Sequence, residues 1–312
     1  AEVSFGDDPL LSRFIVFGGS GHERSVEPGE HWDTLPRPMA AQELTPPELK
    51  TLQIEIDGEI GTLTLNRPDT FNAMSPDLIA DMVEAFAWLA DEAPLRGLII
   101  TGAGAAFCAG GDLNWFKTGI EDGSVDIKAT VRRGAEMLHQ AIVDLQRIPY
   151  PVIAALNGPT AGAGFSLALA CDIRICSENA FLACAYGRIG VSPDGGMTYF
   201  LPRVVGPSKA IEILLNDPNL TPADALAEGL VSEVVAPDEL LGRAREKADK
   251  LAVKSPYYQK MAKKLVHQSL DNSITEQLQL ERHGIAEGMG TKDAMNAVAA
   301  FLSGNKAEFK GE

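Results

Sequence analysis

Two glycine-rich stretches decide the fold of this chain. Phe-Cys-Ala-Gly-Gly-Asp-Leu spans residues 107–113, and Ala-Gly-Ala-Gly-Phe-Ser-Leu spans residues 161–167. Each follows an apolar run typical of a buried strand, at 98–101 and 152–156, and each leads into a helical pattern. Because a strand that enters a helix through glycines leaves backbone N–H groups unpaired, each stretch offers hydrogen-bond donors. We call these stretches the first and second glycine turns.

Two such turns placed side by side would form a site for a negatively charged oxygen. One N–H from each turn can point at the same oxygen atom, and a pair of fixed donors stabilises negative charge that develops on it during a reaction. Close packing between helix and strand also requires small residues, so glycine alone does not prove such a site. The residues around the turns have to decide which chemistry they serve.

The composition indicates a globular protein without a nucleic-acid partner. The chain has 312 residues, of which 45% are hydrophobic, and its net charge of −16 argues against binding to nucleic acid, which requires a basic surface. No apolar run approaches the roughly 20 residues that span a bilayer, and we see no secretory signal. Four cysteines in apolar runs, without CxxC pairs or histidines at ligand spacing, predict reduced thiols in a cytoplasmic protein and no metal site.

The order of elements predicts an α/β core. We expect a β-hairpin within 53–65, a helix capped by Ser75, a long helix over 128–147 with Met137 and Leu138 facing inward, and a helix near 163–170. The polar stretch 114–127 predicts a loop over the site. Pro-Asp-Gly-Gly from residue 193 onward predicts the start of another helix.

The chain divides into three predicted parts. Residues 1–48 are rich in glycine and proline and are expected to form an N-terminal extension whose function the sequence does not indicate. Residues 49–255 carry the strand and turn motifs and form the predicted core with the active site. Residues 256–312 are helical throughout and form the predicted C-terminal region.

The motifs resemble those of the crotonase, or enoyl-CoA hydratase/isomerase, superfamily over about residues 50–312. The resemblance rests on an ordered series: Thr64–Pro68 with Phe71–Ala73, the two glycine turns, Pro151–Gly158, Cys171–Ile173, Leu201–Gly206 and Ala225–Val231. It implies an α/β spiral of ββα units, a C-terminal helical layer that forms a homotrimer or hexamer, and an acyl-CoA substrate. It implies no cofactor other than the coenzyme A of the substrate. The N–H groups of Gly111 and Ala163 would hold the thioester oxygen of an enolate.

The hydratases of the superfamily that this chain resembles use two glutamates, and both are absent here. Alignment on the second glycine turn and Cys171–Ile173 places Ser166 at the first glutamate position, and alignment on Gly190 places Tyr186 at the second. Addition of water needs groups that activate the water and manage its proton. The sequence therefore favours an isomerase over a hydratase.

Asp194 is the predicted catalytic acid–base group. Other branches that this chain resembles, the dienoyl-CoA isomerases and 4-chlorobenzoyl-CoA dehalogenase, place a working aspartate here. Asp194 would carry a proton from C2 to C4 and turn a 3-enoyl-CoA into a 2-enoyl-CoA. The alternative without a catalytic role is a helix N-cap or turn residue after Pro193, for which aspartate is a favoured choice. Hydratase activity, dehalogenase-like or other aryl and cyclic acyl-CoA chemistry, and a non-catalytic binder of CoA thioesters remain as alternatives.

Three further side chains are predicted to support Asp194. The dehalogenase resemblance matches Tyr186 to its aromatic residue, which is Trp there, and His139 to its histidine. Tyr186 would be a hydrogen-bond donor near the acyl group, and Ser166 would lie on the helix after the second turn. Core packing for Tyr186 and Ser166, and a surface position for His139, are the alternatives that need no catalytic role.

The resemblance also implies which residues contact the CoA thioester. Backbone groups around the first turn would bind the substrate, Trp115 and Phe116 would close the acyl pocket, and residues near the C-terminus would cover the nucleotide, often from a neighbouring subunit. The full predicted set is Ala73, Ala109, Gly110, Asp112, Leu113, Trp115, Phe301 and Lys310.

Overall fold

The computed structural model describes residues 45–122 and 126–312, so nearly all of the predicted extension lies outside the described residues. The predicted hairpin is present, with Asp57 opposite Ile60 across the turn. The helix after it begins at Pro76, and the Ser75 hydroxyl accepts the N–H of Leu78 at 3.2 Å, which confirms the predicted cap. The elements of this part are β1 (Leu52–Asp57), β2 (Ile60–Leu65), α1 (Pro76–Asp91) and β3 (Gly97–Gly102).

The middle of the chain alternates strands and helices. In chain order it contains α2 (Leu113–Asp122), α3 (Ile127–Arg147), β4 (Val152–Leu156), β5 (Thr160–Ala161), α4 (Ala163–Ala170), β6 (Ile173–Ser177), β7 (Leu182–Ala183), α5 (Met197–Val205), α6 (Pro207–Asn216), α7 (Pro222–Ala227), β8 (Glu233–Val235) and α8 (Leu240–Ala252). A six-stranded sheet runs in the order β1-β2-β3-β4-β6-β8, and β5 pairs with β7 in a second sheet. All pairs except β1 with β2 are parallel. The α/β prediction is therefore confirmed.

Both faces of the large sheet are covered. Alternate residues of its strands divide between them: Leu98 and Ile100 face the larger core with α1 and α3, whereas Ile99 and Ile153 pack against Ala244 on α8. A parallel sheet buried on both faces requires strands that are apolar at nearly every position. That requirement explains why β3 and β4 read as continuous apolar runs.

Two local predictions were wrong. Residues 113–122 form α2 instead of a loop, because the Asp112 carboxylate accepts the N–H groups of Asn114 and Trp115 and caps a helix despite its polar composition. α5 begins at Met197 instead of near Asp194, since Gly195 and Gly196 have φ values of 58° and 84°, which a right-handed helix does not contain.

The C-terminal region is helical, as predicted, with α9 (Pro256–Ser269), α10 (Ile274–Met289) and α11 (Lys292–Leu302). Several large apolar side chains of these helices are exposed in the single chain, among them Val266, Ile274 and Phe301. Subunit assembly through this layer stays a prediction. Across the described ranges, no helix combines the length and the hydropathy needed to cross a bilayer.

Candidate active site

The two glycine turns lie against each other. The Cys108 N–H donates to Pro159 O at 3.2 Å, and the Ala161 N–H donates to Cys108 O at 2.9 Å. The approach is close enough to exclude side chains, because a Cβ added to Gly164 would lie 2.4 Å from the carbonyl oxygen of Cys108. Gly110, with φ of 95°, contacts the second turn in the same way. Glycine is therefore required here by backbone contact as well as by conformation.

The turns leave two backbone donors open. The Asp112 N–H donates to Met74 O at 3.1 Å, and the Met74 N–H donates to Gly110 O at 2.7 Å. These bonds use the residues before and after Gly111 and leave the Gly111 N–H unused. Ala163 is the first residue of α4, where an N–H has no partner within the helix. Among the hydrogen bonds of the described residues, neither the Gly111 N–H nor the Ala163 N–H has an acceptor.

Both open donors face one cleft, together with Asp194. Of the described residues that line the cleft, Asp194 is the only one with an acidic side chain, and most of the others are apolar. The three predicted catalytic residues are thus brought together around a single space. The lining consists of Met74, Pro76, Ile79, Gly111, Trp115, Thr130, Val131, Arg133, Gly134, Ala135, Met137, Leu138, Ala163 and Asp194.

Asp194 belongs to a segment, residues 185–196, that we call the aspartate segment. Its carbonyl accepts the N–H of Met197 at 3.1 Å, and its half-buried side chain caps no helix. The helix-cap alternative for its carboxylate is therefore wrong. One oxygen, Oδ1, accepts a hydrogen bond of 2.8 Å from the Tyr186 hydroxyl.

Ser166 and Tyr186 form a buried network beneath Asp194. Their hydroxyl oxygens are 3.1 Å apart, and Ser166 Oγ also donates to the Asp194 carbonyl at 2.9 Å. Both side chains are buried. Burial, reinforced by the nearby Asp194 charge, raises the pKa of Tyr186 far above its usual range, so its hydroxyl stays protonated and donates. Tyr186 is thus a hydrogen-bond donor, as predicted, and its acceptor is Asp194; its position near the acyl group stays a prediction.

His139 lies on α3 behind the aspartate segment. Its Nε2 accepts the N–H of Gly195 at 3.3 Å, and its side chain is otherwise exposed. It is not among the residues that line the cleft. The structure thus places His139 in contact with the backbone N–H of Gly195, the residue that follows Asp194.

The residues predicted to contact CoA are only partly brought together. Trp115 lines the cleft, whereas the side chain of Phe116 lies outside what the structure describes. Ala73 and Ala109 are held by backbone hydrogen bonds beside the first turn, and Leu113 is exposed on α2. Their contacts with substrate stay predictions.

The side chain of Asp112 stabilises the first glycine turn. Besides capping α2, its carboxylate pairs with the Arg67 guanidinium at 2.9 Å, and Arg67 also donates to the carbonyl of Ala73. All these partners hold the first turn in place. Asp112 therefore positions the backbone next to Gly111 with its side chain already engaged.

Phe301 and Lys310 lie outside the cleft lining of this chain. Phe301 is 83% exposed on α11, and the backbone N–H of Lys310 donates to Asp293 at 2.9 Å. A contact between these residues and a nucleotide in the cleft of their own chain receives no support. The expectation that they act across a subunit boundary stays untested.

Sequence reasoning missed the side of the cleft that α3 supplies. We predicted Met137 and Leu138 to point inward, and the cleft-lining residues Gly134 and Thr130 follow at helical spacing toward the N-terminus of the same helix. Extending the predicted inward face by two turns would have found them. Arg133 adds the one basic side chain among the described residues of the lining.

Burial makes Cys108, the cysteine in the first glycine turn, unreactive. Cys108 lies in the first turn, fully buried, and desolvation raises its pKa to about 12. A thiol in that state is not a nucleophile. All four cysteines are free and buried in the structure, as the sequence predicts.

Comparison with known proteins identifies the family of this chain. The family model described as enoyl-CoA hydratase/isomerase matches residues 55–312. A short-chain-enoyl-CoA hydratase of Clostridium acetobutylicum is 31% identical over 262 residues, covering 84% of this chain and 98% of the relative. A 1,2-epoxyphenylacetyl-CoA isomerase of Escherichia coli K12 is 32% identical over 257 residues, covering 82% and 97%.

Solved structures show the same architecture. The enoyl-CoA hydratase of Bacillus anthracis superposes with a TM-score of 0.78 at 30% identity, covering 84% of this chain and all of that one. An enoyl-CoA hydratase from Polaromonas sp. JS666 superposes with a TM-score of 0.77 at 31% identity, covering 83% and 99%. The chain therefore belongs to the enoyl-CoA hydratase/isomerase family and has the crotonase fold.

Proposed function

We propose that this family member is an acyl-CoA isomerase that converts a 3-enoyl-CoA into the conjugated 2-enoyl-CoA. The observation that carries the proposal is the combination of two open backbone donors, on Gly111 and Ala163, with a single carboxylate, on Asp194, around one largely apolar cleft. One carboxylate is enough for a reaction in which a proton leaves one carbon and returns to another.

The proposed reaction begins with the thioester oxygen between the two N–H groups. Asp194 removes a proton from C2, the electrons of that C–H bond form a C1–C2 double bond, and the thioester oxygen takes the negative charge. Each donor of such a pair typically contributes about 3 kcal/mol to the transition state. The same carboxyl group then protonates C4. The π electrons of C3–C4 form the new C–H bond, the π electrons of C1–C2 become the C2–C3 double bond, and the negative charge on the oxygen reforms the thioester carbonyl. No atom is gained or lost.

Hydration of a 2-enoyl-CoA is the second candidate. The names of the Clostridium acetobutylicum relative and of the two superposed structures, all hydratases, favour it. Against it stand Ser166 and Tyr186, which occupy the two glutamate positions and are buried in hydrogen bonds with each other and with Asp194. Among the described residues of the cleft, no second acid is available to manage the proton of an attacking water.

The deciding experiment offers 3-enoyl-CoA and 2-enoyl-CoA thioesters to the protein and follows the ultraviolet absorbance of the conjugated thioester. We expect conjugation of the 3-enoyl substrate and a loss of roughly a hundredfold or more in Asp194→Asn, the usual contribution of a general acid–base group. Asp238→Asn, which changes an exposed carboxylate after β8, is the matched control.

Other outcomes would redirect the proposal. Fast loss of absorbance with the 2-enoyl substrate would identify a hydratase. Isomerisation that survives Asp194→Asn would remove Asp194 from the mechanism. If neither linear substrate reacts, 1,2-epoxyphenylacetyl-CoA, the substrate in the name of the Escherichia coli relative, is the next compound to offer.

A further inference from the structure

We propose that Tyr186 is a positioning residue that occupies one carboxylate oxygen of Asp194, so that only the other oxygen exchanges protons with the substrate. The inference rests on the proposed function for its substrate and on the hydrogen-bond geometry for everything else. The Tyr186 hydroxyl lies 2.8 Å from Asp194 Oδ1 and is buried beneath the cleft, and Tyr186 is absent from the cleft lining. It therefore acts on the substrate only through Asp194.

The network contains two hydroxyl protons, and the one on Tyr186 is available to Asp194. The Tyr186 hydroxyl has one proton and donates it to Oδ1, the shortest contact it makes. The Ser166 hydroxyl has one proton as well, for which the Asp194 carbonyl at 2.9 Å and the Tyr186 oxygen at 3.1 Å compete. Because a carboxylate accepts and never donates, this arrangement suits the ionised form of Asp194, which is the form that removes a proton from carbon.

The backbone around Tyr186 is held in an unusual conformation. Ala185 has φ of 61°, in the left-handed region that non-glycine residues seldom adopt. Its N–H donates to the Asp217 carboxylate at 2.8 Å, and Arg188 pairs with the same carboxylate at 3.2 Å. Strain of this kind persists only where surrounding contacts enforce it, and it concentrates at functional sites. Here it fixes the residue immediately before Tyr186.

The other side of the network is equally confined. The carbonyl of Tyr186 accepts the N–H groups of Ile189 and Val191. A Cβ on Gly195 would lie 3.0 Å from the Cβ of Ser166, so the backbone after Asp194 packs directly over the serine. His139 accepts the N–H of Gly195 from outside. With Oδ1 held by Tyr186 and the backbone fixed on both sides, the carboxylate presents Oδ2 in a constant direction.

A double-mutant cycle tests the inference. Wild type, Tyr186→Phe, Asp194→Asn and the double variant are assayed with a 3-enoyl-CoA, and kcat and KM are measured separately. We expect Tyr186→Phe to lower kcat about tenfold to a hundredfold, as loss of a hydrogen bond to a charged group does, with KM little changed. In the Asp194→Asn background the same change should have no further effect, since Tyr186 acts through Asp194.

Tyr150→Phe is the matched control. Tyr150 is also a buried tyrosine that donates one hydrogen bond, 2.8 Å to Leu89 O, away from the cleft. Its replacement should leave kcat within about twofold of wild type. Equal losses in the two phenylalanine variants, or losses that multiply in the double variant, would show that Tyr186 only supports the fold and would overturn the proposal.

A second reaction separates this inference from the proposed function. Exchange of the C2 protons of a saturated acyl-CoA, such as butyryl-CoA, with deuterated water needs the open donors and Asp194 but no double bond. If no 3-enoyl-CoA isomerises, the proposed function fails, and the same four proteins can still be compared by exchange. Slower exchange in Tyr186→Phe, absent in the Asp194→Asn background, would support the role of Tyr186. Unchanged exchange in Tyr186→Phe would refute it.

Discussion

The two glycine turns and the aspartate segment meet at the same cleft but are built in opposite ways. The turns contribute backbone N–H groups, and their positions follow from strands that end and a helix that begins within a few residues. The aspartate segment contributes side chains, and their positions depend on Ser166 from α4 and Asp217 after α6. A site made of backbone can be read from local sequence, whereas a site made of side chains depends on what packs around it.

Gly164→Ala is expected to have the largest effect on stability, because the added methyl group would push the two glycine turns apart. The new Cβ would lie 2.4 Å from Cys108 O and 2.6 Å from Cys108 Cβ, and backbone on both sides cannot move away easily. We expect the free energy of unfolding to fall by about 3 kcal/mol, measured by urea denaturation. Gly242→Ala, on α8 with open space around it, should instead raise it by up to about 1 kcal/mol. Equal effects in both variants would mean that the turns are loosely packed.

Asp112→Asn is expected to have an intermediate effect on the same region. It weakens the pair with Arg67 and the cap of α2, whose acceptor is buried, and should lower the free energy of unfolding by about 2 kcal/mol. Activity should fall as well, because the neighbouring Gly111 loses its support. Asp77→Asn, which changes an exposed pair with Lys50 at 4.0 Å, should cost less than about 0.5 kcal/mol. Urea denaturation of both variants distinguishes the two sites, and a stable Asp112→Asn variant would contradict the structural role.

Ala185→Gly is expected to have the smallest effect and the opposite sign. Glycine adopts φ of 61° without strain, so the variant should gain about 0.5 kcal/mol in the free energy of unfolding. Ala183→Gly makes the same chemical change two residues earlier, in a buried strand with ordinary φ, and should lose about 1 kcal/mol. Thermal denaturation of the pair measures the difference. A loss at both positions would show that Ala185 carries no strain.

Sequence patterns were most reliable where local chemistry decides the structure. The bounds of α4, the cap at Ser75 and the strand before each glycine turn were predicted correctly, since turn residues and apolar periodicity act within a few positions. The loop predicted over 114–127 was wrong for 114–122, because a polar composition does not reveal the helix cap that Asp112 provides, and 123–125 lie outside the described residues. That cap depends on a carboxylate held by Arg67, which is 45 residues earlier in the chain.

The sequence by itself determined the family, the α/β class and the two turns, because strand, glycine and helix signals are local and occur in a distinctive order. Its resemblance to the branches with a working aspartate at this position also singled out Asp194 as the predicted acid–base group. Only the tertiary structure decided where the Tyr186 hydroxyl points. Hydrogen bonds between distant side chains depend on how the helices pack, and the direction of a buried hydroxyl cannot be inferred from its neighbours in the chain.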